Sequence, residues 1–235
     1  MLDWVPATLR VIRIRRPKYA CRGCATVVQA AAPERVIAGG LATPSLLSHV
    51  LISKYCDHLP LYRQSQMFTR QGVELERSTL AGWVGGACWW LDTLHARLKE
   101  DILSSDHLFA DDTTLPVLEP GRRRTKTGRL WVYARDQRGW AGTDPPAALY
   151  IYEPDRKAER PKDHLKDYKG TLHVDDRGAC RWVTIASLVE TAKLNNIEPY
   201  GYIAEVIQRM IDGHPANRLD ELLPWNWTPQ HAVNS

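Results

Sequence analysis

The feature that most constrains this chain is a change of hydrophobic period at residue 107. Before it, Leu46, Leu47, Val50 and Leu51, then Leu61, Tyr62 and Phe68, then Leu80, Trp83, Val84, Trp90, Leu91 and Leu94 recur at helical spacing. After it, HLFADDTTLPVL (107–118), LWVYARD (130–136) and AALYIYE (147–153) read as strands. The last two are separated by a turn holding Gly139, Gly142, Pro145 and Pro146. RKAERPKDHLKDYKG (156–170) predicts a short polar helix ended by Gly170, and TLHVDD (171–176) a fourth strand. Helical stretches over 184–194 and from Pro199 to Gly213 follow, then the tail LDELLPWNWTP. Such an order predicts an α+β chain: helices, then a mixed sheet, then helices.

Local signals refine this. Thr43-Pro44 predicts a helix start, with a capping hydroxyl before Pro at the first helical position. Pro60 opens a second helix, Gly72 marks a turn, and Ser78 is the expected cap of a third. Three helices with short connections fit a helix-turn-helix module and fit any small bundle equally well. Three strands, a helix and a strand in that order match a ribonuclease-H-like half-domain, a fold-level analogy that the site has to support. At the N-terminal end LRVIRIR (9–15) alternates like a half-buried strand that Pro17 ends. A C-x-x-C knuckle, Cys21-Arg22-Gly23-Cys24, follows, and Ala30–Gly40 reads as an irregular linker.

Charge is uneven. The net charge is +4, yet residues 1–40 carry seven basic residues against two acidic ones. Arg13, Arg15, Arg16 and Lys18 stand in that stretch, and Arg122, Arg123, Arg124 and Lys126 form a second cluster within GRRRTKTGR (121–129). Either cluster taken alone is an ordinary solvated surface; together they point to a polyanion. No run of eighteen apolar residues exists and the first residues lack a signal-peptide core, so a cytoplasmic protein without membrane contact is expected. The odd count of five cysteines fits a reducing compartment.

Two acidic positions stand among strand-forming residues. Asp111 follows Phe109 and Ala110, and Asp175 follows Leu172 and Val174. Carboxylates from neighbouring strands are what two-metal phosphodiester cleavage uses to hold Mg²⁺. Each aspartate is doubled by Asp112 or Asp176, and side chains alternate along a strand, so only one of each pair can face a shared ion. The other reading is that these residues cap strand ends in turns, where Asp is common.

Longer blocks carry a resemblance. RPKYACRGC (16–24), LLSHVLISKYCDHLPLYRQSQMFTRQGVELERSTLAGWVG (46–85), LFADDTTLPVLEPGRRRTKTGRLWVYARD (108–136), YEPDRKAERPKDHL (152–165), SLVETAKLNNIEPYGYI (187–203) and ELLPWNW (221–227) resemble, in order, the large transposase of the insertion-sequence-66 family of bacterial mobile elements. The resemblance implies a ribonuclease-H-like core with an Asp-Asp-Glu triad and Mg²⁺, with Asp111 as the first aspartate and Asp175 as the second. Asp112 stands where the family has Glu, and Asp176 where it has Gly. It also implies a long segment, bearing the catalytic glutamate, between the second aspartate and the S-L-x-E-T-A-K motif. Here only positions 177–186 separate Asp176 from Ser187. Glu190 belongs to that motif and is not promoted to the triad; Asp155, Glu159 and Glu190 are the substitutes an active enzyme would need. Cys21 and Cys24 match half of a family zinc-binding segment. Tetrahedral zinc needs four ligands, so two free thiols are expected in place of bound zinc.

The expected organisation is a basic zinc-ribbon-like remnant over 1–40, a helix-turn-helix-like module over 41–105, an incomplete ribonuclease-H-like core over 106–178 and a helical segment over 179–235. The expected function is that of a shortened, internally deleted transposase, impaired in catalysis, that keeps its hold on transposon-end DNA. The alternative is a DNA-binding regulator of transposition. Expected partners are DNA and a second copy or a full-length transposase. A half-core of this kind exposes apolar surface unless the C-terminal helices fold back over it.

Overall fold

The computed structural model describes residues 8–119, 121, 124–174 and 183–228. A short hairpin, β1 (Lys18–Ala20) against β2 (Val27–Gln29), is followed by α1 (Pro44–Tyr55), α2 (Leu61–Arg70) and α3 (Arg77–Leu103). Then come β3 (His107–Leu118), β4 (Thr125–Arg135), β5 (Ala147–Glu153), α4 (Glu159–His164), β6 (Thr171–Val174), α5 (Val183–Leu194) and α6 (Pro199–Ile211). Two short 3₁₀ turns, Ala216–Leu222 and Pro224–Asn226, carry the chain to residue 228. No helix among the described residues is long and apolar enough to cross a membrane.

The helix starts follow the sequence signals. The Thr43 hydroxyl accepts from the Leu46 N–H at 3.3 Å, and Pro44 occupies the first turn of α1. Pro60 precedes α2, and Gly72 leaves it with a φ of +80°, the left-handed region glycine adopts without strain. The third helix begins at Arg77, not behind Ser78: Glu76 is its cap position, its carbonyl accepting from the Leu80 N–H at 3.1 Å. Leu80, Trp83, Ala87, Leu91, Leu94, Leu98 and Ile102 form one buried stripe along α3.

The main sheet has the order β5-β4-β3-β6. The strands β3, β4 and β5 are antiparallel neighbours, and β6 runs parallel to β3, pairing His107–Ala110 with Thr171–Val174. Gly170 permits that approach, since a Cβ there would stand 2.4 Å from the Asp106 carbonyl oxygen. Leu108 and Ala110 of β3, Tyr133 of β4 and Leu149 of β5 join one continuous core with α1, α3, α5 and α6 that runs from Val36 to Leu223. The C-terminal helices do fold back: α6 packs on α1, and α5 packs on β5.

The β5 edge is closed by side chains. Ser187 Oγ accepts from the Tyr150 N–H at 2.9 Å, Thr191 Oγ1 accepts from the Ala148 N–H at 3.1 Å, and Asn195 Nδ2 donates to the Pro146 carbonyl at 2.8 Å. These three residues recur every fourth position of α5, so one helical stripe replaces the missing neighbour strand. Thr191 is fully buried. Thr191→Val, which keeps the shape and removes the hydroxyl, is expected to cost about 2 kcal/mol by stranding the Ala148 backbone groups. Chemical denaturation of the variant checks this.

The strand expected over 9–15 does not form. Residues 8–17 are irregular, and Val11 is 96% exposed. An alternating pattern makes a strand only where a partner supplies hydrogen bonds, and pairing here starts after Pro17, between Lys18–Ala20 and Val27–Gln29. The irregular stretch before α1 is tied down where Val36 enters the core with Ile37 beside it, and where Trp90 Nε1 donates to the Val36 carbonyl at 2.7 Å.

Candidate functional site

Strand β3 lies inside the sheet, between β4 and β6, and carries two consecutive aspartates. Alternation sends them to opposite faces. Asp112 shares its face with Leu108 and Ala110 and is 6% exposed. Its Oδ2 lies 2.8 Å from Arg129 Nη1, and its Oδ1 lies 2.8 Å from Arg156 Nη2 and 3.0 Å from Arg156 Nε. Both oxygens are thus engaged by guanidinium groups, so Asp112 holds the sheet to the segment after β5.

Asp111 stands on the other face. Its Oδ1 accepts the Asp112 N–H at 2.7 Å. With Phe109, Ala110, Val132, Ala134, His173 and Val174 it lines an open depression of about 340 Å³. Val174, the last residue of β6, pairs with Ala110, the residue before Asp111. Asp175 comes next in sequence and lies outside the described residues, as do Asp176, Arg122 and Arg123.

The candidate substitute acids are placed elsewhere. Asp155 accepts from Arg160 Nε at 3.1 Å, and this bond holds its carboxyl below the usual carboxylate range. Glu190 pairs with Lys193 at 2.9 Å on the exposed side of α5. Glu159 opens α4. Glu153 faces Arg160 at 3.2 Å and His164 at 3.3 Å. Burial pushes the Tyr133 phenol up and the His164 imidazole down, and the Tyr133 hydroxyl lies 3.0 Å from His164 Nδ1 in hydrogen-bond contact. Among the described residues no group of three His, Cys, Asp or Glu side chains could hold a metal ion.

The C-x-x-C knuckle caps the β1–β2 hairpin. The Cys21 N–H donates to the Thr26 carbonyl at 2.9 Å, and Ala25 takes a φ of +55° to close the turn. Both thiols are exposed. Hydrogen bonds from Thr26 bring the Cys24 thiol down to about 7, whereas burial pushes Cys88 up to about 11. The thiolate is the nucleophile, so Cys24 is expected to alkylate with a half-maximal rate near pH 7, while Cys88 stays inert up to pH ~10. Iodoacetamide labelling followed by mass spectrometry, with Cys24→Ser as control, checks this.

The basic residues fall in two separate places, the irregular stretch that leads into the β1–β2 hairpin and the β3–β4 hairpin. Arg13, Arg15, Arg16 and Lys18 are exposed, with Arg16 Nη1 reaching the Ala30 carbonyl at 2.9 Å. Arg124 and Lys126 belong to the β3–β4 hairpin, whose strands pair from Leu115↔Gly128 to Leu118↔Thr125 beyond the last β4–β5 pair at Arg129↔Glu153. The hairpin thus continues as a two-stranded arm. Three features were missed from sequence: the Arg129 and Arg156 clamp, the Ser187-Thr191-Asn195 stripe, and the rings around Asp111. The stripe alone left a sequence signal, polar residues recurring at every fourth position, Ser187, Thr191 and Asn195.

Comparison with known proteins places this geometry. Residues 39–184 match the Transposase IS66 family, residues 187–225 match the IS66 C-terminal element, and residues 1–25 match the zinc-finger binding domain of transposase IS66. In Sinorhizobium fredii (strain NBRC 101917 / NGR234), uncharacterized protein y4jD is 48% identical over 175 residues, covering 74% of this chain and 34% of its own length. Uncharacterized protein y4qI of the same strain is 42% identical over 214 residues, 91% of this chain and 39% of its own. The chain thus spans little more than a third of the length of these relatives. No solved structure matches. With its core stretch and its C-terminal element both matched in order, the chain belongs to the Transposase IS66 family.

Proposed function

We propose that this chain is an internally shortened transposase that binds transposon-end DNA and does not cut it unaided. The observation that carries this reading is the strand order β5-β4-β3-β6, with β6 parallel to β3 and Asp111 on β3 beside the end of β6. That order is the one a ribonuclease-H-like half-core requires. Asp111 and Asp175 are its two carboxylates, and no third acid stands in the ten positions 177–186. Bound Mg²⁺ in such a core supplies Lewis-acid stabilisation of a phosphodiester under attack, and losing one ligand removes most of that chemistry. Without a full ligand set, the residues of this chain are left with binding: Arg13, Arg15, Arg16 and Lys18 at and just before the first hairpin, and Arg124 and Lys126 on the arm together with Arg122 and Arg123 of the same sequence cluster, neutralise phosphates. The module of α1, α2 and α3 adds a helix-turn-helix-like surface.

Salt dependence tests the binding claim. Each neutralised phosphate contributes roughly 0.9 to the slope of log affinity against log salt. Replacing Arg13, Arg15, Arg16 and Lys18 by Gln is expected to flatten the slope by about 3 to 4 in gel-shift titrations. An unchanged slope, or no shift at low salt, refutes the assignment. A second reading, a regulator that occupies transposon ends or pairs with a full-length transposase, is favoured by the continuous core from Val36 to Leu223, which closes without a cleavage segment. Tighter binding to end sequences than to random duplex supports that role, and equal affinity counts against it.

A further inference from the structure

Four rings form one cluster around Phe109 and His107, and two of them, Phe109 and His173, line the depression that holds Asp111. Phe109 stacks on His173 with centroids 5.0 Å apart and planes 28° from parallel. Trp140, in the turn after β4, lies 6.1 Å from Phe109 and 5.8 Å from His107. Phe109 is 39% exposed and Trp140 49% exposed, and neither belongs to the core cluster. Packing of the fold therefore does not account for them. Because the rings already touch one another, a ligand meets a surface whose side chains are largely set, which lowers the ordering cost of binding.

We propose that this platform stacks one unpaired nucleobase of the bound DNA. The proposal rests on the DNA-binding reading above. Two observations support a base as the occupant. Its flat π-face matches exposed aromatic rings, the mode by which proteins hold single-stranded nucleic acid without reading sequence. The depression of about 340 Å³ lies at the small end of the roughly 300–1,000 Å³ of ligand sites, room for one base and its sugar but not for a base pair. Inside a duplex both faces of a base are covered by its neighbours, so only an unpaired or extruded base can use the platform.

The test compares two oligonucleotides of equal length and composition, one blunt and one ending in a short single-stranded overhang that carries 2-aminopurine. The intact chain is expected to bind the overhang about ten-fold more tightly than the blunt duplex, with quenching of the 2-aminopurine on binding. Trp140→Ala and Phe109→Ala are each expected to bring that ratio close to one, and Trp140→Tyr, which keeps a ring, to retain most of it. Circular dichroism verifies that each variant is folded. A ratio of one for the unsubstituted chain, or full preference in Trp140→Ala and Phe109→Ala, overturns the platform while leaving duplex binding standing. Failure to bind either DNA at low salt overturns the platform and the underlying DNA-binding reading together.

Discussion

Asp112→Ala is expected to destabilise the chain by about 3 kcal/mol, although Asp112 is the aspartate that does not face the open depression. Its carboxylate is 6% exposed and ion-paired with Arg129 and Arg156. Removing it leaves the Arg129 guanidinium, 24% exposed, without its partner against the sheet. Losing one member of a buried pair costs about 3–5 kcal/mol, and the exposure of Arg156 puts the effect at the lower end because solvent screens that arm. For a chain of this size the melting midpoint is expected to fall by roughly 6–12 °C. Asp111→Asn, on the open face, is expected to stay within about 1 kcal/mol of the unsubstituted chain. Thermal melts of the two variants side by side separate the ion-paired aspartate from the one on the open face. Equal destabilisation would contradict the division of the two faces.

Arg135→Ala is expected to cost about 3–5 kcal/mol, for a different reason. Arg135 is 4% exposed; its Nε donates to the Pro145 carbonyl at 2.8 Å and its Nη1 to Ser105 Oγ at 3.1 Å, with Asp101 ion-paired at 2.8 Å. The guanidinium also lies 5.1 Å from the ring centre of Trp225. One side chain therefore joins the end of α3, strand β4, the turn before β5 and the C-terminal element. A lysine carries the charge but not the planar fork, so Arg135→Lys is expected to recover less than half of the loss. Urea denaturation with an unchanged slope and a lowered midpoint is the readout. Near-normal stability of Arg135→Lys would show that charge alone suffices there.

The elements legible in the sequence were those written by period and by capping. The β3 and β5 spans match their apolar runs, and Thr43, Pro60 and Pro199 mark true helix starts. Strand β4 begins earlier than its apolar run, at Thr125, because TKTGR continues the ladder opposite Leu115–Leu118 with little core to cover. The strand expected over 9–15 failed because alternation records which side chains could be buried, not whether a partner exists. At the site, strict alternation fixed that Asp111 and Asp112 must part company, and it placed no partner for either. The clamp on Asp112 joins residues 17 and 44 positions away, a distance that local patterning does not encode. The stripe on α5 acquires meaning only once β5 is known to be an edge strand.

The proposed function requires a carboxylate site reduced to two acids in a protein that still grips DNA. The most direct measurement is incubation of the purified chain with labelled transposon-end duplex in Mg²⁺ and in Mn²⁺, alongside a gel shift of the same mixture. The expected result is a salt-sensitive complex and intact DNA under both metals. Metal-dependent cleavage that disappears in Asp111→Ala would contradict the account by revealing a third ligand at work.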